Sequence, residues 1–386
     1  MVSGGGSDDV VRRIQQGESR QRPSHLERPG RLLRFELQQR AGAERARDKR
    51  RGLEKRTDTG LREADVQGRR KHAPTVRPVR VLTLGETMVL LDGVEGGLAH
   101  GAPFRLRLGG AESNFAIALV RLGVPVSWVS RLGADPLGDV VYETLAGEGL
   151  DLRFVVRDQE APTAVFFKWH EDGEGRVLYR RAGSAASRLA PDDVPPEAFD
   201  EVHLVHLTGI TMALSETARE AVLSVAAEAR VRGISVTFDP NYRPALWPGP
   251  REAEAVQRAI LPNVDWYLCG EQEGRLLFGV DSAVEVGEAA RAAGARDAAV
   301  RVGDRGAVVV EDGDPVQVPP ARVEQVVDEI GAGDGFAAGF AFGLLQGWGA
   351  VACARAGNLI AAHALRGTGD WETFPRLEDV GEHLIP

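Results

Sequence analysis

From residue 79 to the C-terminus the chain repeats one pattern: a short apolar run ending in glycine or a polar cluster, then a stretch with helical spacing. The runs at 79–86, 203–210, 235–243 and 264–273 read as buried strands with polar turns at their ends, and residues 128–138 read as strand, turn and helix. Residues 298–307 read as strand, glycine turn and strand. Residues 104–108 alternate in the manner of a half-exposed strand. Residues 161–181 predict a hairpin, with β-formers on both sides of a turn at 172–175. Helices are predicted over 115–122 and 350–365, and the small apolar run 337–345 predicts a helix buried on all sides. Strands alternating with helices imply a doubly wound α/β domain over 79–386. Residues 1–78 show no sustained period and few apolar positions; only 32–53 has a weak helical pattern.

Composition sharpens that division. Residues 1–78 hold 20 Lys+Arg against 11 Asp+Glu, a charge of +9, so the remaining 27 basic and 45 acidic residues of the −9 chain carry −18. Such a basic, apolar-poor segment cannot bury enough surface to offset its ordering entropy, and we expect a disordered extension. Without aromatic interleaving or a recognisable binding fold it carries no nucleic-acid prediction. The two cysteines, Cys269 and Cys353, allow no disulfide framework and point to a cytoplasmic setting. No apolar run is long enough to span a membrane, and no signal-peptide pattern opens the chain. Hydrophobic content of 43% in 386 residues supports a large core.

The chemistry gathers at Asp328-Glu329-Ile330-Gly331-Ala332-Gly333-Asp334, just before the buried helix. Glycines free the backbone for a tight turn, and a helix N-terminus offers amides and a dipole to an anion. Asp334 stands in the first helical turn. A carboxylate beside an anion hole suits phosphoryl transfer to a hydroxyl: the acid takes the proton and the amides hold the developing charge. An acidic cap on a core helix explains the same residues in isolation; the other parts of a site elsewhere in the chain favour chemistry.

The stretch resembles the second signature of the ribokinase-like (PfkB) carbohydrate kinases, with Glu329 where Thr is commonest. Gly109-Gly110-Ala111-Glu112-Ser113-Asn114 resembles the first. The resemblance runs from about residue 79 to the end. It implies a ribokinase-like sandwich with a small β-lid, lid strands near 99–108 and 161–181, and frequent pairing of lids between subunits, hence a homo-oligomer. It implies ATP and magnesium, with a monovalent cation optional. Asp334 would be the base and Gly331, Ala332 and Gly333 the anion hole. Gly109, Gly110 and Asn114 would meet the sugar. Arg301, Gly303, Gly306, Gly331, Gly333 and Asn358 would line the nucleotide site, and Glu273 would approach the metal through water. Gly-x-Asp-x-x-Gly at 133–138 fits a structural turn.

Tyr179 and Arg181 fall on one face of a strand, and with Arg243 in Asp239-x-Asn241-x-Arg243 they offer a grip for a carboxylate. Tyr-x-Arg in the lid resembles the 2-keto-3-deoxygluconate kinase branch, and 367–371 resembles its closing loop. Leu90 holds a position where fructokinase-like members often carry a sugar-holding Asp. These features predict a sugar-acid kinase acting on a terminal hydroxyl. The alternatives are a neutral-sugar kinase of fructokinase or ribokinase type and a sugar-binding protein without catalysis. After residue 78 the only lysine is Lys168, and no P-loop or protein-kinase catalytic loop is present, so phosphate charge falls to amides, arginines and magnesium.

Overall fold

A computed structural model of the chain describes residues 80–94, 97–171 and 174–384. By internal contact the chain divides into units at 1–61 and 62–386. The first lies wholly outside the described residues, as do the expected disorder of 1–78 and the helical piece at 32–53.

The described residues begin inside a sheet with β1 (Arg80–Leu84), third from one edge, then leave it for β2 (Met88–Gly93) and β3 (Phe104–Gly109). Helix α1 (Ala111–Arg121) leads back to β4 (Val126–Gly133), α2 (Pro136–Glu148) and β5 (Val155–Asp158). A second excursion is the hairpin β6 (Val165–Glu171) and β7 (Glu174–Arg180). The rest stays with the main sheet: β8 (Val202–Thr208), α3 (Gly209–Leu214), α4 (Glu216–Arg232), β9 (Ser235–Asp239), α5 (Pro250–Gln257), β10 (Trp266–Gly270), α6 (Glu271–Phe278), α7 (Ala283–Ala292), β11 (Asp297–Arg301), β12 (Ala307–Val310) and β13 (Val316–Val318). Helices α8 (Ala332–Leu345), α9 (Ala350–Ala364) and α10 (Leu377–Val380) close the chain.

The main sheet has nine strands in the order β13-β12-β11-β10-β9-β8-β1-β4-β5. It is parallel from β11 to β5, and β12 and β13 are antiparallel. Its inner strands are largely buried on both faces, which is why they read as continuous apolar runs, while the edge strands β5 and β13 are partly exposed. Val81, Ala299, Ala307 and Val309 face a core with α1, α2, α8 and α9; Leu82, Leu84, Ala298, Val300, Val308 and Val310 face one with α4 to α7. The doubly wound α/β expectation is met. Helix α8 is buried from Gly335 to Gly343, as its apolar circumference predicts. On β8, His203 is exposed and His206 buried, as residues three apart on a strand face opposite sides.

The lid is a separate four-stranded sheet, β3-β2-β6-β7, with its own small core of Met88, Leu90, Ala164 and Phe166. Its outline differs from the lid strands expected near 99–108 and 161–181. Residues 99–103 are turn and coil, and the first excursion contains the extra strand β2. The strand read at 79–86 ends at Leu84, and Gly85-Glu86-Thr87, read as its closing turn, carries the chain from the main sheet into the lid. Helix α1 also starts earlier than the expected 115, after Gly110 in extended backbone, with the Ser113 hydroxyl donating back to the Gly110 carbonyl at 3.1 Å.

Candidate active site

The turn before α8 is built by Gly331, at φ +79. A Cβ there would lie 1.9 Å from the Asp370 carbonyl oxygen, so only glycine fits between the closing loop and the helix. The first-turn amides have no intrahelical acceptors, and only the Ala332 N–H leans back on the Glu329 carbonyl, at 3.4 Å. Asp334 follows in that turn. Asn114 of α1 donates Nδ2 to Asp334 Oδ2 at 2.8 Å, while Asn114 Oδ1 is buried with no partner among the described residues.

Burial is the main reason the Asp334 carboxyl is pushed up to about 8. The Asn114 hydrogen bond and Arg243 oppose it; Asp239 and Asp370 reinforce it. Asp370, from the closing loop, is pushed up to about 7, by burial first and then by Glu372, against the pull of Lys168. Both of these carboxyls thus titrate well above the ordinary carboxylate range, Asp334 close to the range in which a general base works.

The opposite wall is the C-terminal end of β9, where open α/β sheets place their ligands. Asp239 accepts the Asn241 N–H at 2.9 Å and an Arg301 N–H at 2.8 Å. Asn241 takes a positive φ of 39° to make that turn, and its Oδ1 is buried without a partner among the described residues. Glu273 accepts the backbone N–H of Gly270 at 2.5 Å and of Tyr242 at 2.9 Å, and Arg301 at 3.1 Å. Arg301 is therefore clamped between two carboxylates, beside Gly333 and with its guanidinium 5.8 Å from the Phe336 ring centroid.

The lid supplies the third wall. Tyr179 stacks on Phe166 at 5.6 Å, and the Arg181 guanidinium lies 5.7 Å from the Tyr179 ring centroid, as the one-face reading of this pair requires. Lys168 Nζ reaches Asp328 at 2.6 Å. The enclosed cavity is about 340 Å³.

Of the residues picked from the sequence, Gly109, Gly110, Asn114, Tyr179, Arg181, Arg243, Glu273, Arg301, Gly331, Gly333 and Asp334 line this cavity. Ala332, Gly303, Gly306 and Asn358 do not; the last two meet at 318–320, where Asn358 donates to the Pro319 carbonyl at 2.8 Å. Leu90 packs into the lid core, and Met88 lines the cavity in its stead. Sequence reasoning missed Glu86, Lys168 and Asp370 as cavity residues. Glu86 follows the glycine that ends β1, and that position was the available signal.

Among the described residues no cluster of three or more His, Cys, Asp or Glu forms a metal cage. A magnesium ion carried by nucleotide phosphates needs only one or two carboxylates, often through water. Asp239 and Glu273 fit that lesser role, since their oxygens already hold protein donors.

A parallel sheet whose strand ends open under a small β-lid, facing a glycine turn and an acid at a helix N-terminus, defines a ribokinase-like small-molecule kinase. Residues 79–376 match the sequence model of the pfkB family of carbohydrate kinases, and the chain belongs to that family. It is 35% identical over 306 residues to a 2-dehydro-3-deoxygluconokinase of Bacillus subtilis, covering 78% of this chain and 94% of that one. It is 35% identical over 322 residues to a 2-dehydro-3-deoxygluconokinase of Thermoproteus tenax, covering 81% and 96%. An uncharacterized sugar kinase from Pyrococcus horikoshii, solved in complex with ATP, superposes with a TM-score of 0.68 at 27% identity over 78% of this chain and 97% of that one.

Proposed function

We propose that the protein transfers the γ-phosphoryl group of ATP to the terminal hydroxyl of a small sugar acid, 2-keto-3-deoxygluconate (2-dehydro-3-deoxygluconate), giving the 6-phosphate and ADP. The observation that carries this reading is Asp334, held by Asn114 at the head of the glycine turn in a cavity whose lid presents Arg181 and Tyr179. Asp334 takes the proton of the acceptor hydroxyl, whose oxygen attacks the γ-phosphorus as the bond to the leaving ADP oxygen breaks. The amides of Gly331, Ala332 and Gly333 meet the charge on the transferred group. Arg181 and Arg243 hold the carboxylate, Gly109 and Gly110 let the sugar approach the backbone, and Asn114 orients the base and a sugar hydroxyl. Arg301, Gly303, Gly306 and Asn358 serve the nucleotide. Magnesium, approached by Glu273 through water, neutralises phosphate charge when bound.

The same reading includes a homo-oligomer joined through lids, a cytoplasmic setting in keeping with two free buried thiols, and no nucleic-acid or membrane partner. A requirement for potassium is tested by exchanging it for sodium in the assay.

The test of substrate is ATP consumption by the purified protein with 2-keto-3-deoxygluconate, fructose, ribose and gluconate side by side. Turnover confined to the keto-deoxy acid supports the reading. Turnover on the neutral sugars returns Tyr179, Arg181 and Arg243 to structural or phosphate roles and leaves a neutral-sugar kinase. ATP turnover with none of them points to sugar binding without catalysis.

A further inference from the structure

Glu86 lies in the short crossing from β1 to the lid, and its side chain is 1% exposed. One carboxylate oxygen, Oε2, accepts from Arg181 Nε at 2.8 Å and pairs with Arg181 Nη2 at 2.6 Å. The other, Oε1, accepts from the Ser184 hydroxyl at 2.6 Å. Ser184 is buried, and its N–H donates to the Arg181 carbonyl at 3.0 Å. A Cβ at Gly110 would lie 2.2 Å from the Glu86 carbonyl oxygen, so the start of α1 presses on the same residue. Glu86 is thus fixed from the main sheet, from α1 and from the exit of the lid.

We infer that Glu86 is a positioning residue: it occupies the Nε edge of Arg181 and so presents the other edge, carrying Nη1, to the carboxylate of a sugar acid. This rests on the sugar-acid reading above. A guanidinium has five N–H donors in a planar fork, enough for two carboxylates on two edges. Glu86 takes Nε and one side of Nη2; among the described residues Nη1 has no hydrogen-bond partner. The Tyr179 ring restrains the guanidinium from one side. A long, flexible side chain is thereby set in one plane before substrate arrives, which lowers the entropy lost on binding. The pair is neutral as a unit, so its hold on an acid comes from aligned hydrogen bonds more than from net charge. An arginine without Glu86 would attract any anion, the phosphates of ATP included, with less selection for where the carboxyl sits.

The experiment measures kcat and KM for 2-keto-3-deoxygluconate, for fructose and for ATP in the wild type, Glu86→Ala, Glu86→Gln, Arg181→Ala and the double variant Glu86→Ala/Arg181→Ala. Loss of alignment at a binding carboxylate is expected to lower kcat/KM for the sugar acid about 10- to 100-fold in Glu86→Ala. Partial recovery is expected in Glu86→Gln, which keeps an acceptor for Arg181. KM for ATP stays near the wild-type value, and Glu86→Ala costs little more once Arg181 is gone. Fully additive losses, or equal losses for acid and neutral sugar, would overturn the inference. So would a lower KM for the acid in Glu86→Ala, which would make Glu86 a competitor for Arg181. A wild type indifferent to the carboxyl group sinks the sugar-acid reading and this inference together. A wild type that requires it, with additive variants, sinks this inference alone. If Glu86→Ala does not fold, Glu86→Gln with Arg181→Ala carries the same comparison.

Discussion

At the scale of single residues, Asp334 concentrates the chemistry and also a cost. Its carboxyl titrates near 8 in the fold against an ordinary 3.8. A raised value means that the folded state prefers the proton. The stabilisation this gives is complete below about pH 4 and is lost as pH rises through about 8. Replacing Asp334 by Asn removes that dependence. The melting temperature of Asp334→Asn minus that of the wild type should therefore grow between about pH 4 and about pH 8 and level off above it. A difference independent of pH would show that burial does not penalise the Asp334 charge in this way. The same variant should lose about two to four orders of magnitude in kcat, the usual contribution of a positioned general base, while remaining folded at pH 7. Near-full activity would remove Asp334 from the role of base. The acid and its glycines were readable because their types and spacing are local. Asn114 as its hydrogen-bond donor was not, since the two lie 220 positions apart and meet only when α1 and α8 pack.

At the scale of elements, two ion pairs tie the lid to the loops on either side of the catalytic turn. Lys168 of β6 holds Asp328 ahead of the turn, and Arg107 of β3 holds Glu372 behind Asp370, each at 2.6 Å. The connection into β6 is anchored by Asp135, which caps α2 through the Gly138 N–H and accepts the Thr163 N–H at 2.8 Å. The turn role read for residues 133–138 is thereby met, and it extends to the lid. Both Lys168 and Asp328 are mostly buried, so their pair is expected to couple lid and turn. Lys168→Met and Asp328→Asn should each lower kcat/KM for the sugar about tenfold, and the double variant should fall well short of the product of the two losses. Independent, multiplicative losses in such a cycle would rule the coupling out. The inner strands of the main sheet were legible because they are apolar runs largely buried on both faces; the edge strands β5 and β13, short and partly exposed, were not read. Nor was β2 read: the glycine turn at 85 marks the end of β1, but that Met88–Gly93 forms a strand of a different sheet is set by the tertiary path.

At the scale of the whole molecule, all the cavity residues lie between Glu86 and Asp370, inside the stretch that matches the family. A protein beginning at residue 79 is expected to keep the kcat/KM of the full chain within about twofold, because every cavity residue is retained. A large loss, measured in the same coupled assay, would give the basic segment 1–78 a part in catalysis or assembly. The sequence by itself determined the layered α/β class, the kinase class with its candidate glycine-and-acid turn at 331–334, and the basic character of the first 78 residues. These depend on period, on local glycine and acid spacing, and on composition, none of which needs a long-range contact. Only the tertiary structure decided how the charges pair. Arg301 stood in sequence as a cation for phosphate and lies between Asp239 and Glu273; Arg181 stood as a free grip and lies against Glu86; Asp370 emerged as a second carboxyl with a raised titration in the cavity of Asp334. A charge has no period along a chain. Its partner and its proton are set by distance and burial, and these exist only once the sheet, the lid and the closing loop have come together.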